Sequence, residues 1–410
     1  MGRKSLSVAQ PTLFKRNHPV VGVLNLGRGR GRAHQYTYGL DALLSEFSVN
    51  VWREVTPRSI DDADIVLCSF ISPMDVYEFT NHVRSRPQSR LIIGGQGAYP
   101  FLAWRHLTHR IAFGRAEGAA DECILDNSPL AWCYDFERDP EVKSNYLIRQ
   151  ARFLLPGEQS VGCGGGCRFC QYSATRRLIG RDYNPTQLGH RIVEDRWSDI
   201  VIKPGHQTTA LDGWSETTRR RVGKPICDEE IVELISKIIS DLPGKRMCLK
   251  VFQIVGYPWE TPESVRDDIL AFRALLGRVK SGPGRVVMMF TITPFSPEPL
   301  TQMEDDPANI TVRWRDILLD DSLRCVYDSP HLNAFILPQI PGPVTLFKRV
   351  AVNRGVSVDK LRAIHRSATI EECLNVCGDV TQRGAGVRVS RILSRESFPK
   401  SPGHRSGRIR

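Results

Sequence analysis

The first part of the chain alternates short apolar runs with amphipathic stretches. Val20–Leu26, Val49–Val55, Asp64–Phe70, Arg90–Gly94 and Ile111–Gly114 are apolar blocks of strand length, rich in β-branched and aliphatic residues. Between them, stretches such as Gly39–Phe47 space their apolar residues at helical intervals. Strands alternating with helices predict βαβ units, and so an α/β fold with a Rossmann-like, doubly wound parallel sheet over residues 19–140, preceded by an arm of residues 1–18. Two of these strands end in glycine, at Gly94-Gly95 and at Gly114. That end is where open α/β sheets bind ligands.

A second unit is predicted over residues 145–300. Phe153–Val161 reads as a strand running into a glycine-rich loop, Cys163–Cys170. Asn184-Pro185 supplies an N-cap and a first-turn proline for a helix reaching about Trp197. Asp199–Lys203 then reads as a short strand, Asp228–Ile239 as an amphipathic helix and Cys248–Val255 as a strand. Thr261-Pro262-Glu263 opens a helix to Leu276, and Arg285–Thr293 is a strand leading into Pro294. This order suits a partial parallel (β/α) barrel. Between Cys170 and Asp212 there is room for only about one helix and one short strand, so the barrel is expected to be shortened. Residues 301–380 read as a less regular, partly helical appendix, proline-rich at Ser329–Pro343 and helical at Val358–Arg366 and Thr369–Cys377. Residues 381–410 read as a basic, disordered tail.

Composition narrows the class. At 410 residues, 41% hydrophobic and 25% charged, the chain is of globular type, which excludes collagen-like, mucin-like and wholly disordered architectures. No apolar run approaches the ~18 residues of a membrane helix, and the start lacks a signal-peptide core, so an intracellular, cytoplasmic protein without membrane partners is expected. Eleven cysteines in so long a chain do not read as a disulfide framework and point to a metal or redox site. Of the formal charge of +11, the segment from Arg383 onward carries +7, leaving a nearly balanced body. Such a tail suits nonspecific phosphate contacts with a nucleic acid, and equally a solvated solubilising segment.

The segment richest in chemistry is Val161-Gly-Cys163-Gly-Gly-Gly-Cys167-Arg-Phe169-Cys170. Three thiolates spaced C-x3-C-x2-C suit one face of a cubane iron–sulfur cluster and leave its fourth iron without a protein ligand. A structural zinc site would want a fourth ligand, and His190 and His206 are the nearest. The loop resembles the signature of the radical S-adenosylmethionine (SAM) superfamily. That resemblance implies a [4Fe–4S] cluster on Cys163, Cys167 and Cys170, with SAM on the open iron and Phe169 against the adenine. It also implies an electron from a reducing donor of flavodoxin or ferredoxin type. The organic chemistry would then belong to the cofactors and the positioning to the protein.

Three downstream segments resemble strand ends of the radical SAM subfamily that carries an N-terminal cobalamin-binding-type domain. They are Leu211-Asp212-Gly213-Trp214-Ser215-Glu216 with Val222-Gly223-Lys224-Pro225, Phe252-Gln-Ile-Val-Gly256-Tyr-Pro258-Trp-Glu260, and Phe290-Thr-Ile-Thr-Pro294-Phe-Ser-Pro297. The resemblance makes Asp212, Glu216, Gly256 and Pro258 candidates around SAM, with Asp212 replacing the family's usual Glu. In the first sheet it makes Ser69, Gly94, Gly95 and Gly97 candidates for contacts to cobalamin, although the family's Asp-x-His-x-x-Gly motif is absent here.

The activity expected from the resemblance is SAM cleavage to a 5′-deoxyadenosyl radical and modification of an unactivated carbon. The substrate expected from the tail and the short, open barrel is a nucleobase in DNA or RNA. Isomerisation of the kind found in phage DNA hypermodification is one outcome, and methylation is the other if cobalamin binds. A small metabolite or peptide is the alternative substrate. A zinc-stabilised nucleic-acid-binding protein without catalysis is the alternative class. Cys373 and Cys377, four apart on a helical pattern, read as core residues rather than a second cluster.

Overall fold

The computed structural model describes residues 20–24, 52–70, 72–111, 166–175, 193–194, 202–338 and 340–385. The Phe153–Val161 strand, the Gly39–Phe47 helix, the start of the Asn184-Pro185 helix, Cys163, the N-terminal arm and the tail from residue 386 lie outside the described residues.

The first sheet is built from β1 (Val21–Leu24), β2 (Trp52–Val55), β3 (Ile65–Ser69), β4 (Arg90–Gly94) and β5 (Arg110–Ile111). Its order is β2-β1-β3-β4-β5, and every neighbouring pair is parallel. Successive side chains point to opposite faces of a strand, so a sheet covered on both sides has no polar face. Here Val66, Cys68, Leu91 and Ile93 are buried on one face, and Val21, Val23, Ile65, Leu67 and Ile92 on the other. Helix α1 (Pro73–His82) follows β3, opened by a capping box in which Asp75 accepts the Ser72 N–H at 2.8 Å.

The second sheet runs β10-β11-β9-β8-β7-β6, from β6 (Val193–Glu194), β7 (Gly205–Ala210), β8 (Arg246–Val255), β9 (Arg285–Pro294), β10 (Cys325–Asp328) and β11 (Leu332–Pro338). All its pairs are parallel except the edge hairpin β10–β11. On one face Met247, Leu249 and Val251 of β8 meet Val286, Met288 and Phe290 of β9, and all bury against the helices that follow α2 (Gln171–Thr175) and α3 (Glu216–Arg221). These are α4 (Asp228–Asp241), with Ile231, Ile235 and Ile238 inward, and α5 (Pro262–Leu276), with Val265, Ile269 and Phe272 inward. Each such side chain contributes roughly 1.5–3 kcal/mol by leaving water. Thr261 caps α5 by accepting the Ser264 N–H at 3.1 Å, with Pro262 in the first turn as expected. The two units are therefore a doubly wound parallel sheet and a partial parallel (β/α) barrel.

Four expectations are corrected. Of the strand expected at Asp199–Lys203, residues 199–201 lie outside the described residues and Ile202–Lys203 are not in a strand, while an unexpected strand runs over Gly205–Ala210, where Gln207 and Thr209 are buried although polar. Val193–Glu194, expected inside a helix, pairs in parallel with Thr208–Thr209. The stretch Ser329–Pro343, expected to be irregular, contributes β11, paired with β9 over Leu332 to Pro338, because Leu332, Ala334 and Ile336 alternate onto the helix-covered face. The sheet therefore continues past residue 300. Residues 381–385, expected in the disordered tail, pack onto the loop after β9: Thr381 is buried and its carbonyl accepts the Ala308 N–H at 2.9 Å.

The C-terminal helices of the expected appendix, α7 (Pro343–Asn353), α8 (Val358–Ala363) and α9 (Ile370–Cys377), which follow α6 (Trp314–Leu318), pack onto the first unit. Leu346, Phe347, Val350, Leu361 and Cys373 complete the core of the first sheet together with Phe79 and Phe101. The indole of Trp104 donates to the Val356 carbonyl at 2.8 Å, and the Arg362 guanidinium donates to the carbonyls of Thr80 and Val83 at 2.8 and 2.9 Å. Cys373 and Cys377 are buried, and burial pushes the Cys377 thiol up to about 11. Among the described residues no helix is long and apolar enough to cross a membrane.

Candidate functional site

The described part of the cysteine loop, Gly166–Cys170, is a turn at the carboxyl ends of the second sheet's strands. The Cys170 N–H donates to the Cys167 carbonyl at 3.3 Å, and α2 begins at the next residue. Both cysteines are half-buried on one turn, while Cys163 lies outside the described residues. The turn leans on the segment after α3, where the Arg168 N–H donates to the Val222 carbonyl at 2.9 Å. Gly223 has φ +81°, and a Cβ there would collide with the carbonyl oxygen of Gly166. Two independent constraints thus require glycine. Gly223→Ala is expected to cost about 2 kcal/mol or more from the left-handed backbone and the clash together. A lowered thermal midpoint is the readout, and an unchanged one would remove this packing argument.

On the far side of the turn, the Gln171 N–H donates to Glu298 Oε2 at 3.0 Å and the Gln171 side chain donates to the Pro299 carbonyl at 3.2 Å. Glu298 Oε1 in turn accepts from Arg349 of α7 at 3.1 Å. Glu298 belongs to the Pro294–Pro299 strand-end segment, and its role follows from that position. A carboxylate before the first turn of α2 takes a backbone donor that has no helical partner.

An aromatic stack shields the turn. The Phe169 ring lies 6.1 Å from Tyr257, Tyr257 stacks on Trp259 at 5.0 Å and 4°, and Phe295 is 5.3 Å from Tyr257. The Tyr257 hydroxyl donates to the Asp212 carbonyl at 2.9 Å. Burial holds the Tyr257 phenol well above its ordinary range, and the neighbouring Asp212, Glu260, Cys167 and Cys170 push it the same way. It is therefore a neutral donor next to the two thiols.

The remaining sequence-derived candidates divide. Asp212, at the end of β7 with φ +56°, pairs its Oδ2 with Lys224 Nζ at 2.6 Å, both side chains being about nine-tenths buried. Gly256, at the end of β8 with φ +81°, donates its N–H to Glu260 Oε2 at 2.7 Å, and Pro258 lines a cavity beside the turn. Asp212, Gly256, Pro258, Phe169, Cys167 and Cys170 are thus gathered around Tyr257. Glu216 is not. Its Oε1 accepts from Arg220 at 2.7 Å and its Oε2 from the Asp228 N–H at 2.9 Å, so its carboxylate joins α3 to the start of α4.

In the first sheet, Ser69, Gly94, Gly95 and Gly97 form a lock between two loops of the chain itself. The Phe70 N–H donates to the Gly94 carbonyl and the Gly97 N–H to the Phe70 carbonyl, both at 2.8 Å. A Cβ on Gly95 would strike Phe70 and Ser69, and one on Gly97 the backbone of Ser72. The close approach that these glycines permit includes that of their own chain.

Sequence reasoning missed Glu260, Arg219 and Lys224 as key residues. Arg219 is fully buried and donates to the carbonyls of Ile226 at 2.8 Å and Trp214 at 2.7 Å, and to the Asp228 carboxylate. Glu260 is buried beneath the Gly256–Tyr257 turn and accepts both N–H groups, at 2.7 and 3.1 Å. Burial raises its pKa from 4.5 to about 7 against the lowering effect of those two bonds. The folded state therefore binds the proton more tightly than the unfolded chain. The stability this contributes is fully present below about pH 4.5 and is lost as pH rises to 7, by an amount on the order of 3 kcal/mol. Glu260→Gln keeps an acceptor and removes the titration. Thermal midpoints between pH 4.5 and 7 should fall in the wild type and flatten in the variant, and parallel curves would refute the assignment.

No protein-family model matches the sequence, and no curated protein matches it. Among solved structures, the fold is similar to that of TsrM from Kitasatospora setae, a radical S-adenosylmethionine methyltransferase. With its cobalamin and [4Fe–4S] cluster bound, the TM-score is 0.44 at 14% identity over 70% of this chain and 77% of that one. With tryptophan substrate and a SAM analog bound, it is 0.41 at 12% identity over 66% of this chain and 72% of that one.

Proposed function

We propose that the protein is a radical SAM enzyme whose [4Fe–4S] cluster is held by Cys163, Cys167 and Cys170. The observation that carries this reading is the turn that presents Cys167 and Cys170 at the carboxyl ends of the strands, braced by Val222–Gly223 and Glu298. Within the signature spacing C-x3-C-x2-C, this is a rigid pair of thiols beside a dry aromatic wall. When bound, the cluster supplies the electron that cleaves SAM to a 5′-deoxyadenosyl radical. The chain's own part is positional. Tyr257, Phe169 and Phe295 exclude water from the side of the turn they cover, and Lys224 neutralises the buried Asp212 carboxylate. Glu260 holds the Gly256–Tyr257 backbone through two accepted N–H groups, fixing where Pro258 and Trp259 stand.

The reaction class is hydrogen abstraction from an unactivated carbon. It is followed by methyl transfer when the first sheet carries cobalamin at its carboxyl edge, and by rearrangement when it does not. The substrate class is a nucleobase in a nucleotide or nucleic acid, a reading supported by the basic C-terminal segment. The electron donor is a reducing protein of flavodoxin or ferredoxin type. Anaerobic reconstitution with iron and sulfide, with and without hydroxocobalamin, tests the reading. Formation of 5′-deoxyadenosine from SAM under reduction is expected. A single bound zinc and no SAM cleavage would replace it with the zinc-stabilised, non-catalytic alternative.

A further inference from the structure

A cavity of 490 Å³ opens beside the Cys167–Cys170 turn, in the roughly 300–1,000 Å³ range of small-ligand sites. Trp259 and Met303 give it apolar lining, and three arginines line it from three separate segments. Arg168 belongs to the cysteine turn itself, Arg221 to the end of α3, and Arg383 to the stretch beyond α9. One carboxylate, Asp306, faces them, and its Oδ1 accepts from Arg383 at 3.2 Å. Among the described residues neither Arg168 nor Arg221 forms an ion pair, and Asp306 is the one carboxylate against three arginines in the described lining. Arg221 is also pre-positioned. Its guanidinium lies 3.8 Å from the centre of the Trp259 indole, which is itself stacked on Tyr257. A guanidinium laid flat on an aromatic ring keeps its N–H edge for hydrogen bonding and loses little freedom on binding.

Like charges converge at a cost unless an anion joins them, and phosphate is the anion that fits several planar forks at once. It offers up to two charges and acceptor oxygens for bidentate pairing, where a carboxylate saturates one arginine. We propose that this cavity is a phosphate subsite, formed by Arg168, Arg221 and Arg383, that seats a phosphate of the substrate next to the cysteine turn. The ligand is a nucleotide or a nucleic-acid strand. This names the substrate class of the proposed site and rests on that reading for its catalytic use; the binding itself stands without it.

The test uses the full-length, cluster-loaded protein and a fluorescein-labelled trinucleotide, followed by anisotropy at fixed salt. The dissociation constant is expected to rise at least about tenfold in Arg221→Ala/Arg383→Ala, and further in Arg221→Glu, while Arg278→Ala, on the outer face, leaves it unchanged. Equal affinity in wild type and variants, or no binding of the trinucleotide and of pyrophosphate to wild type, overturns the proposal. Displacement of the trinucleotide by a nucleoside diphosphate assigns the subsite to free nucleotides; displacement only by longer strands assigns it to nucleic acid. SAM cleavage by the wild type is scored separately. If cleavage fails while the variants still lose binding, the radical SAM reading falls and the phosphate subsite stands. Circular dichroism melting of each variant excludes loss of binding through unfolding.

Discussion

Replacing Cys167 or Cys170 with alanine is expected to reduce bound iron from about four atoms per reconstituted chain to near zero and to abolish 5′-deoxyadenosine formation. Each thiolate of a three-cysteine set holds one iron, so removing any one leaves two irons without protein ligands, counting the one that is open by design. The turn that carries both thiols is packed on both sides, by Val222–Gly223 and by Glu298, so the fold is expected to survive the loss of a sulfur atom. Thermal melting should therefore change little before reconstitution, and iron content should change completely after it. Cys163→Ala should behave in the same way. Cys325→Ala, at an exposed cysteine, is the control and should keep both iron and activity. A Cys167→Ala protein that retains iron and cleaves SAM would end the reading.

What could be read beforehand follows from the range over which each signal acts. Strands β3, β4, β8 and β9 and helices α4 and α5 declare themselves within their own segments, by apolar blocks, by the Thr261-Pro262 cap and by the inward isoleucines of α4. Strand β7 is not signalled because its buried positions include Gln207 and Thr209, so no apolar run marks it. Strand β11 was hidden by flanking prolines, although Leu332, Ala334 and Ile336 alternate as a strand should. The three cysteines lie in one short contiguous motif, and the structure places two of them, Cys167 and Cys170, in a single described turn. The pairing of Asp212 with Lys224, and the burial of Glu260 under its turn, depend on where loops meet in space.

The largest unreadable feature is which core the C-terminal helices complete. Their apolar faces are plain in the sequence, but nothing local says that Phe347 and Val350 belong with Phe79 and Phe101, far earlier in the chain. The consequence reaches the site. Helix α7 buries Phe347 and Val350 in the first sheet's core, while its Arg349 holds Glu298, which receives the N–H next to Cys170. Asn353 of the same helix donates to the Pro297 carbonyl at 2.9 Å. One helix thus ties the cysteine turn to the first unit through packed and hydrogen-bonded groups.

Lys224→Met is expected to destabilise the protein by about 3–5 kcal/mol, the usual cost of leaving one member of a buried ion pair without its counter-charge. Asp212 and Lys224 are 7% and 8% exposed, so water cannot replace the lost partner. The pair also joins the end of β7 to the segment that carries Val222 and Gly223, on which the cysteine turn rests. Iron loading should therefore fall together with stability. The double variant Asp212→Asn/Lys224→Met removes both charges and should recover a large part of the loss, giving a coupling energy of about 1 kcal/mol or more in the cycle. SAM affinity separates this structural duty from the SAM contact implied by the family resemblance. If the Asp212 carboxylate serves only Lys224, Asp212→Asn and Lys224→Met should weaken SAM binding equally, each in proportion to its lost stability. A selective loss of SAM affinity in Asp212→Asn would show instead that the carboxylate also reaches the cofactor.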